Sequence, residues 1–304
     1  MSNRQNMNER GLSVVLGTFN RKPFLKKTIQ SVRKEFEQWN IPHEIIVIDG
    51  GSTDGTIAWL TKQKDVISII QYNRGTWQGK QIEQRSWGYF MNLSFKCSQG
   101  KYVCMLSDDC LVIPGSLKNG YEEFERRLMQ GNRLGALAFY WRNWPTRKKY
   151  YVTTVKGQVY LNHGMYLRKA LAEVHYINED DYYFYCADTD LTLRLLKAGY
   201  SVEATDKSLI EHSQHINVKG RQENKGKNRE KLRHDEAALQ TNWEDFFSDT
   251  EYVNSVDRHE SEIVPDDTIA RKGFGYAHFM YRLRQSLNYR LSRVYNVLFH
   301  GVSL

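Results

Sequence analysis

The amino-terminal part of the sequence alternates short apolar runs with longer amphipathic segments. The apolar runs span residues 12–17, 41–48 and 66–71, and the intervening segments, at about 22–39 and 56–64, have the pattern of helices. Strand–helix–strand units with short connections favour parallel pairing and right-handed crossovers, which excludes most other topologies. The pattern therefore predicts an α/β fold with a mixed, mainly parallel sheet flanked by helices.

A fourth apolar run ends in two adjacent carboxylates. Residues 102–106, Tyr-Val-Cys-Met-Leu, are typical of a buried strand, and Asp108 and Asp109 follow it closely. Ligands of open α/β sheets bind outside the carboxyl ends of the strands, where carboxylate oxygens suit Mg²⁺ or Mn²⁺. The alternative is that the two carboxylates only cap the next helix or form a turn.

A glycine-rich loop, D-G-G-S-T-D-G-T at residues 49–56, follows the second predicted strand. Phosphates and nucleosides commonly bind at such loops, although this one lacks the spacing of dinucleotide-binding and P-loop motifs. Asp49, at the end of the strand, is placed to accept a hydrogen bond from a nucleobase N–H or a ribose hydroxyl. A turn with a helix cap is the alternative.

Residues 179–190, E-D-D-Y-Y-F-Y-C-A-D-T-D, place five carboxylates among aromatic side chains. Because like charges at this density repel one another, the cluster as a whole indicates function. An ionised carboxylate beside a sugar hydroxyl is the usual general base of glycosyl transfer or hydrolysis. We expect one of Asp188 and Asp190 to cap the following helix and the other to face the cleft. A cap or a surface position is the alternative for any single member.

The carboxyl-terminal third changes in character. A short strand is predicted at 200–204, and His212 follows it, where it would join the ligand-binding edge beside Asp109; a structural histidine is the alternative. Residues 213–235 are rich in lysine, arginine and glycine and are predicted to be a mobile basic loop. Residues 236–304 are predicted to be a helical extension, with an amphipathic helix over Tyr276–Phe299.

Composition limits the partners and the compartment. The net charge of +8 and the pI near 9.1 favour acidic partners. The four cysteines show no C-x-x-C spacing, which fits free thiols in a reducing compartment. The polar first 11 residues contain no apolar signal region, and no run of about 18 apolar residues occurs anywhere. We therefore expect a cytoplasmic protein.

Five blocks, in this order, resemble the family-two glycosyltransferases, which have the GT-A fold. The blocks are T-F-N-R at 18–21, V-I-D-G-G-S-T-D-G-T at 47–56, Q-R-S-W-G at 84–88, L-S-D-D at 106–109, and the acidic–aromatic block with its helix at 179–200. The resemblance spans residues 12–212, which would form the catalytic domain that binds nucleotide-sugar and acceptor. It implies an inverting transfer of a sugar from a nucleotide-diphospho-sugar, with UDP favoured, to the hydroxyl of a glycan, lipid-linked or other acceptor.

The resemblance also assigns roles to residues. The nucleotide-sugar would be held by Thr18, Asn20, Arg21, Asp49, Arg85 and Asp108. Asp109 and His212 would bind Mn²⁺ or Mg²⁺, and Asp188 would remove the proton of the acceptor. The chain departs from the family pattern at Ser107, the first position of the D-x-D motif, and at Ala187, where the family has a glutamate.

Two alternative functions follow from these features. The two departures suggest a non-catalytic member that binds a sugar-nucleotide or a glycan. A nucleic-acid binder is disfavoured, because the positive charge is concentrated in one loop and one terminal helix rather than on a contiguous face. Tyr276–Phe299 is expected to pack on its own domain or on a second copy in a homodimer. The minority interpretation is peripheral contact with the inner face of a membrane during the synthesis of a surface polysaccharide or glycolipid.

Overall fold

The computed structural model describes residues 3–213, 225–275 and 279. The strands, numbered in chain order, are β1 (Leu12–Thr18), β2 (His43–Asp49), β3 (Val66–Ile70), β4 (Thr76–Trp77), β5 (Lys80–Gln81), β6 (Tyr102–Ser107), β7 (Cys110–Val112), β8 (Leu134–Trp144), β9 (Tyr151–Val155), β10 (Gln158–Tyr160), β11 (Gly164–Leu167), β12 (Ser201–Ser213) and β13 (Val256–Glu260).

The described helices are numbered in the same way. They are α1 (Asn3–Arg10), α2 (Lys22–Gln38), α3 (Thr56–Leu60), α4 (Trp87–Cys97), α5 (Ser116–Met129), α6 (Arg168–Glu173), α7 (Ala187–Lys197), α8 (Lys225–Asn242), α9 (Tyr252–Ser255) and α10 (267–275). None of the helices in the described part of the chain has a stretch both long and apolar enough to cross a bilayer.

One large mixed sheet organises the molecule, in the order β10-β9-β8-β11-β6-β1-β2-β3. The pairs β1–β2, β1–β6 and β2–β3 are parallel, as the strand–helix alternation predicts, whereas β11 runs antiparallel to both β6 and β8. The predicted α/β fold is confirmed. Strands β9 and β10 form an antiparallel pair at one end of this order.

Helices cover both faces of the sheet. On one face, α2 buries Leu25, Ile29 and Val32 at helical spacing, and α5 packs beside it. On the other face lie the apolar sides of α4 and α7. Because successive strand residues point to opposite faces, β1 contributes Val14 to one core and Val15 to the other. The sheet is thus buried on both sides, and its accessible groups concentrate where the strands end.

The register of the parallel strands aligns the predicted site residues. Thr18, the last residue of β1, lies opposite Asp49, the last residue of β2. On the other side of β1, Gly17 lies opposite Ser107, so Asp108 follows at the same edge. Three strands therefore deliver polar side chains to one end of the sheet.

Strand β12 is much longer than the short strand that the sequence pattern predicts at 200–204. It runs parallel to β8 for its whole length, with an irregularity between Thr205 and Leu209, and its end pairs antiparallel with β7. The charged pair Asp206-Lys207 at this irregularity interrupts the apolar pattern, which is why the sequence indicates a strand end there. The continuation places His212 inside β12, opposite both Asn143 and Cys110.

The predicted basic loop at 213–235 is wrong for residues 225–235, which begin helix α8. This helix is fixed by tertiary contacts: Asp235 and Leu239 on it are completely buried. The backbone N–H groups of Tyr183, Phe184 and Tyr185 all donate to the Asp235 carboxylate, at 2.7–2.9 Å. These three hydrogen bonds anchor a segment that is rich in the good helix formers lysine, arginine and glutamate.

The two ends of the chain also differ from expectation. Residues 3–10 form α1 rather than an unstructured polar tail, and its Met7 carbonyl accepts from Gly11 N and Lys101 N. The carboxyl-terminal extension is not only helical, because β13 joins the sheet beside β9. The predicted amphipathic helix over Tyr276–Phe299 lies outside the described residues, apart from Phe279.

Candidate functional site

Two adjacent carboxylates and one arginine form the centre of the site. Asp108 and Asp109 lie in the turn between β6 and β7, and each is only 4% exposed. Arg21 Nη1 donates to Asp108 Oδ1 at 3.0 Å and to Asp109 Oδ2 at 2.8 Å. Thr18 Oγ1 donates to Asp108 Oδ2 at 2.7 Å. Arg21 therefore forms ion pairs with both carboxylates.

The turn that carries the two carboxylates is held by helix α2. Thr28 Oγ1 lies 2.9 Å from the carbonyl oxygen of Asp108 and 2.7 Å from that of Cys110. Burial and the neighbouring charge of Asp109 raise the pKa of Asp108 to about 6, although Arg21 and Thr18 favour its ionised form.

Asp49 organises the loop that follows β2. Its Oδ1 accepts from the backbone N–H groups of Gly51 and Ser52, at 2.8 and 2.6 Å. Its Oδ2 is buried and has no hydrogen-bond partner among the described residues. A buried carboxylate oxygen without a donor is costly, so this atom is suited to a donor group on a ligand.

Asn20 and Arg85 have other contacts in this structure. The Asn20 side chain accepts from Thr53 N at 2.7 Å, so it holds the glycine-rich loop against β1. Arg85 is half-exposed and forms an ion pair with Glu83 at 2.7 Å. Among the described residues, no hydrogen bond or ion pair joins Arg85 to the Asp108–Asp109 pair.

His212 completes the donor set beside Asp109. Its Nε2 lies 3.2 Å from Asp109 Oδ1, and its Nδ1 lies 2.6 Å from Asn143 Oδ1. In the tautomer in which Nδ1 donates to this amide oxygen, the lone pair of the neutral ring lies on Nε2. A carboxylate oxygen and an imidazole nitrogen at this separation form a donor pair that fits a divalent ion.

Asp188 is a second carboxylate centre, with a different environment. It lies in the first turn of α7 and is partly exposed. Asn162 Nδ2 donates to its Oδ2 at 3.0 Å, and Thr189 N donates to its Oδ1 at 3.0 Å. Burial of the carboxylate raises its pKa to about 6, against these two neutral donors. Such a group is ionised near neutral pH and readily takes up a proton.

The neighbouring Asp190 is structural. It is buried and accepts from Arg194 Nε at 2.7 Å and from Trp243 Nε1 at 2.9 Å. The expectation that one of the two aspartates caps α7 is wrong, because the cap position is Cys186, with a φ of 62° and no side-chain cap. The tight turn before the helix moves both carboxylates into its first turn.

The turn at residues 162–163 connects the two carboxylate centres. Asn162 donates to Asp188, and the adjacent His163 lies against Cys110, with Nε2 to Sγ at 3.9 Å. His163 is 4% exposed, and burial together with the neighbouring His212 lowers its pKa to about 3. The sequence analysis missed Asn162, His163 and Asn143. Each is an isolated residue in its own segment, and only the folded sheet brings it to the site.

Comparisons with known proteins define the family. A family model described as glycosyl transferase family 2 matches residues 13–171, just over half of the chain. The match includes the Asp49 loop and the Asp108–Asp109 turn, and it ends before Asp188 and His212. No curated protein matches the sequence significantly.

Solved structures show the same fold at low identity. A mannosyltransferase from Pyrobaculum calidifontis, solved with GDP-Man and Mn²⁺, aligns with 96% of this chain and 76% of its own, at 13% identity and a TM-score of 0.53. TarS from S. aureus aligns with 67% of this chain at 15% identity and a TM-score of 0.48. The aligned region spans only 37% of that TarS chain.

Proposed function

The chain belongs to glycosyl transferase family 2, and we propose that it transfers a sugar from a nucleotide-diphospho-sugar to an acceptor hydroxyl, with inversion at the anomeric carbon. The observation that supports a catalytic role most directly is the environment of the Asp188 carboxylate. It is a partly exposed carboxylate with neutral hydrogen-bond donors and a pKa of about 6. A general base should have a pKa close to the working pH.

On the donor side, Thr18, Arg21, Asp49 and Asp108 would bind the nucleoside and its phosphates. The buried Asp49 Oδ2 supports this role, because it has no donor within the described part of the chain. Asn20 would act through the loop that it holds. Arg85 would bind phosphate only after leaving Glu83, with which it is paired here.

Asp109 and His212 would hold a divalent ion, Mn²⁺ or Mg²⁺. When bound, the ion would stabilise the negative charge of the departing nucleotide diphosphate. The single guanidinium that faces two carboxylates supports this assignment. The mannosyltransferase of the same fold, which was solved with Mn²⁺, agrees with it.

In the transfer step, Asp188 accepts the proton of the acceptor hydroxyl as its oxygen attacks the anomeric carbon. The new C–O bond forms on the face opposite the nucleotide, and the diphosphate leaves with the electron pair of the bond that breaks. Asn162 favours the ionised form of Asp188 before the step, because it donates to Oδ2. A protonated Asp188 would not act as the base.

We propose UDP as the donor nucleotide and a glycan or lipid-linked hydroxyl as the acceptor, in the synthesis of a surface polysaccharide or glycolipid. The family resemblance supports these finer assignments. A panel of UDP-sugars and GDP-sugars tests them, with release of nucleotide diphosphate measured with and without Mn²⁺.

A second candidate function is that of a non-catalytic member of the fold, which binds a sugar-nucleotide without transferring its sugar. Ser107 and Ala187, which stand where the family carries acidic residues, favour it. Ala187 is 1% exposed and belongs to the apolar core, so packing occupies that position here. Nucleotide binding without Mn²⁺-dependent release of product from any donor would establish this second candidate.

A further inference from the structure

We propose that Cys110, His163 and His212 form a second metal site that binds a borderline divalent ion such as Zn²⁺. The three side chains each offer one ligand atom, and these atoms all lie within 4.8 Å of one another. The cluster lies between β7, the 162–163 turn and β12, beside the Asp109 carboxylate. It is distinct in its donor chemistry from the carboxylate-rich position proposed for Mn²⁺ or Mg²⁺.

One of the three ligand separations is close to that of a zinc site. In a tetrahedral site, a thiolate sulfur and an imidazole nitrogen lie about 3.6 Å apart, as expected from bond lengths near 2.3 and 2.0 Å. Cys110 Sγ and His163 Nε2 lie 3.9 Å apart. Small side-chain adjustments would therefore bring these two ligands to bonding distance from one ion.

The backbone fixes the positions of two of the ligands. Cys110 and His212 are paired directly across the antiparallel strands β7 and β12. In the tautomer in which Nδ1 donates, Asn143, which is opposite His212 on β8, accepts from it and leaves the Nε2 lone pair directed away from β8. An outer partner of this kind is the usual means of orienting a metal-binding imidazole.

His163 is the ligand that the proposed function leaves unexplained. It is almost completely buried, and its Nδ1 has no hydrogen-bond partner within the described residues. Its other nitrogen, Nε2, faces the Cys110 thiol. A buried neutral imidazole beside a buried thiol is a costly arrangement for packing alone, whereas a metal would use both groups.

The donor set determines which ions suit the site. One thiolate and two imidazoles favour Zn²⁺ or Co²⁺ over Mg²⁺, which prefers oxygen ligands. Binding would release the thiol proton of Cys110 to solvent, since the thiolate is the ligand. Three protein ligands would leave one coordination position open.

His212 is shared with the site proposed for the catalytic ion, and this consequence rests on the proposed function. An ion held by Cys110 and His163 would draw His212 Nε2 away from Asp109. We therefore expect Zn²⁺ to compete with Mn²⁺ for one ligand and to weaken Mn²⁺-dependent nucleotide binding.

Cobalt titration of the full chain tests the site directly, because a Co²⁺–thiolate bond gives an intense charge-transfer absorption band. We expect this band to saturate at one equivalent in the parent protein and to disappear in Cys110→Ser. Cys104→Ser is the matched control, because Cys104 is equally buried but lies outside the cluster, and it should keep the band.

A parent protein without the band, or an unchanged band in Cys110→Ser, would overturn the proposal. If Cys110→Ser does not fold, His163→Asn, which keeps the thiol, should weaken Co²⁺ binding at least tenfold; unchanged binding there would count equally against the site. Asp109→Ala separates the two proposals. It should keep the Co²⁺–thiolate band and lose the effect of Mn²⁺ on nucleotide binding.

Discussion

Asp108 and Asp188 have similar pKa values but different hydrogen-bond and ion-pair partners. Burial raises the pKa of each to about 6. Asp108 faces a second carboxylate and is held by Arg21, whereas within the described part of the chain Asp188 accepts from the neutral donors Asn162 and Thr189. A pKa alone therefore does not distinguish a group that holds a cation from a group that accepts a proton.

The partners make that distinction. At Asp108, loss of ionisation would weaken the ion pair with Arg21, which favours the charged form against the effect of burial. At Asp188, the two donors are compatible with either protonation state after a small rearrangement. The first environment fits the binding of a charged ligand, and the second fits proton transfer.

The largest expected effect is that of Asp188→Asn. Removal of the base should lower the rate of transfer by at least about a thousandfold, because the amide cannot take up the acceptor proton. Donor binding, followed by calorimetry with Mn²⁺ present, should change less than about twofold. Asp180→Asn, an exposed aspartate in the same acidic segment, is the matched control and should keep full activity. Equal losses of transfer and donor binding in Asp188→Asn would show that Asp188 is structural.

Asp109→Ala tests the role of the Asp108–Asp109 pair in binding a divalent ion. It should abolish the gain in nucleotide affinity that Mn²⁺ provides, which we expect to be tenfold or more in the parent protein, about 1.4 kcal/mol. Affinity is measured by calorimetry with and without the ion. A variant that retains the full Mn²⁺ effect would remove Asp109 from the metal site.

Stability should separate the two aspartates as well. The pKa of Asp188 is higher in the folded chain than its ordinary value, so its contribution to stability is complete at low pH and is lost as the pH rises through about 6. Asp188→Asn removes this loss and should stabilise the protein by about 1 kcal/mol at pH 7.5. Asp108→Asn should gain less, because its amide nitrogen would replace an acceptor that faces Arg21 or Thr18.

Urea denaturation at pH 7.5 and at pH 4 measures both variants. The gain in Asp188→Asn should vanish at the lower pH, where the parent carboxylate is already protonated. A gain that is independent of pH would mean that it does not arise from ionisation of Asp188.

The smallest effect concerns Asn162. Its amide favours the ionised form of Asp188. In Asn162→Ala, the acid limb of the pH profile of transfer, which lies at about pH 6 in the parent protein, should therefore move to a pH about half a unit higher. The matched control is Asn178→Ala, which removes an amide that donates to Asp181 instead and should leave the limb unshifted. If the acid limb does not move in Asn162→Ala, it reports the ionisation of a group other than Asp188.

The strands that carry local motifs could be predicted from the sequence. β1, β2 and β6 are short apolar runs, and the polar residues that end them lie within a few positions of each run. The parallel register then follows from short crossovers, and it brings Thr18, Asp49 and Asp108 together. This part of the site is encoded by residues close to one another in the chain.

The remaining parts depend on contacts between distant segments. His163 precedes His212 by 49 positions and meets it only because β12 continues past a charged irregularity. Helix α8 was missed because Asp235, which anchors it, finds its donors in the distant segment Tyr183–Tyr185. Neither contact produces a periodic pattern in the local sequence.

The most direct test of the central claim is a thermal-shift panel of UDP, GDP, CDP and dTDP, each with and without Mn²⁺. A ligand that binds only the folded chain raises the melting temperature, so the nucleotide that binds most tightly should give the largest shift. We predict a strong shift with UDP that requires Mn²⁺. The absence of a shift with every nucleotide, in the presence of the ion, would contradict a nucleotide-sugar site at Asp49, Asp108 and Asp109.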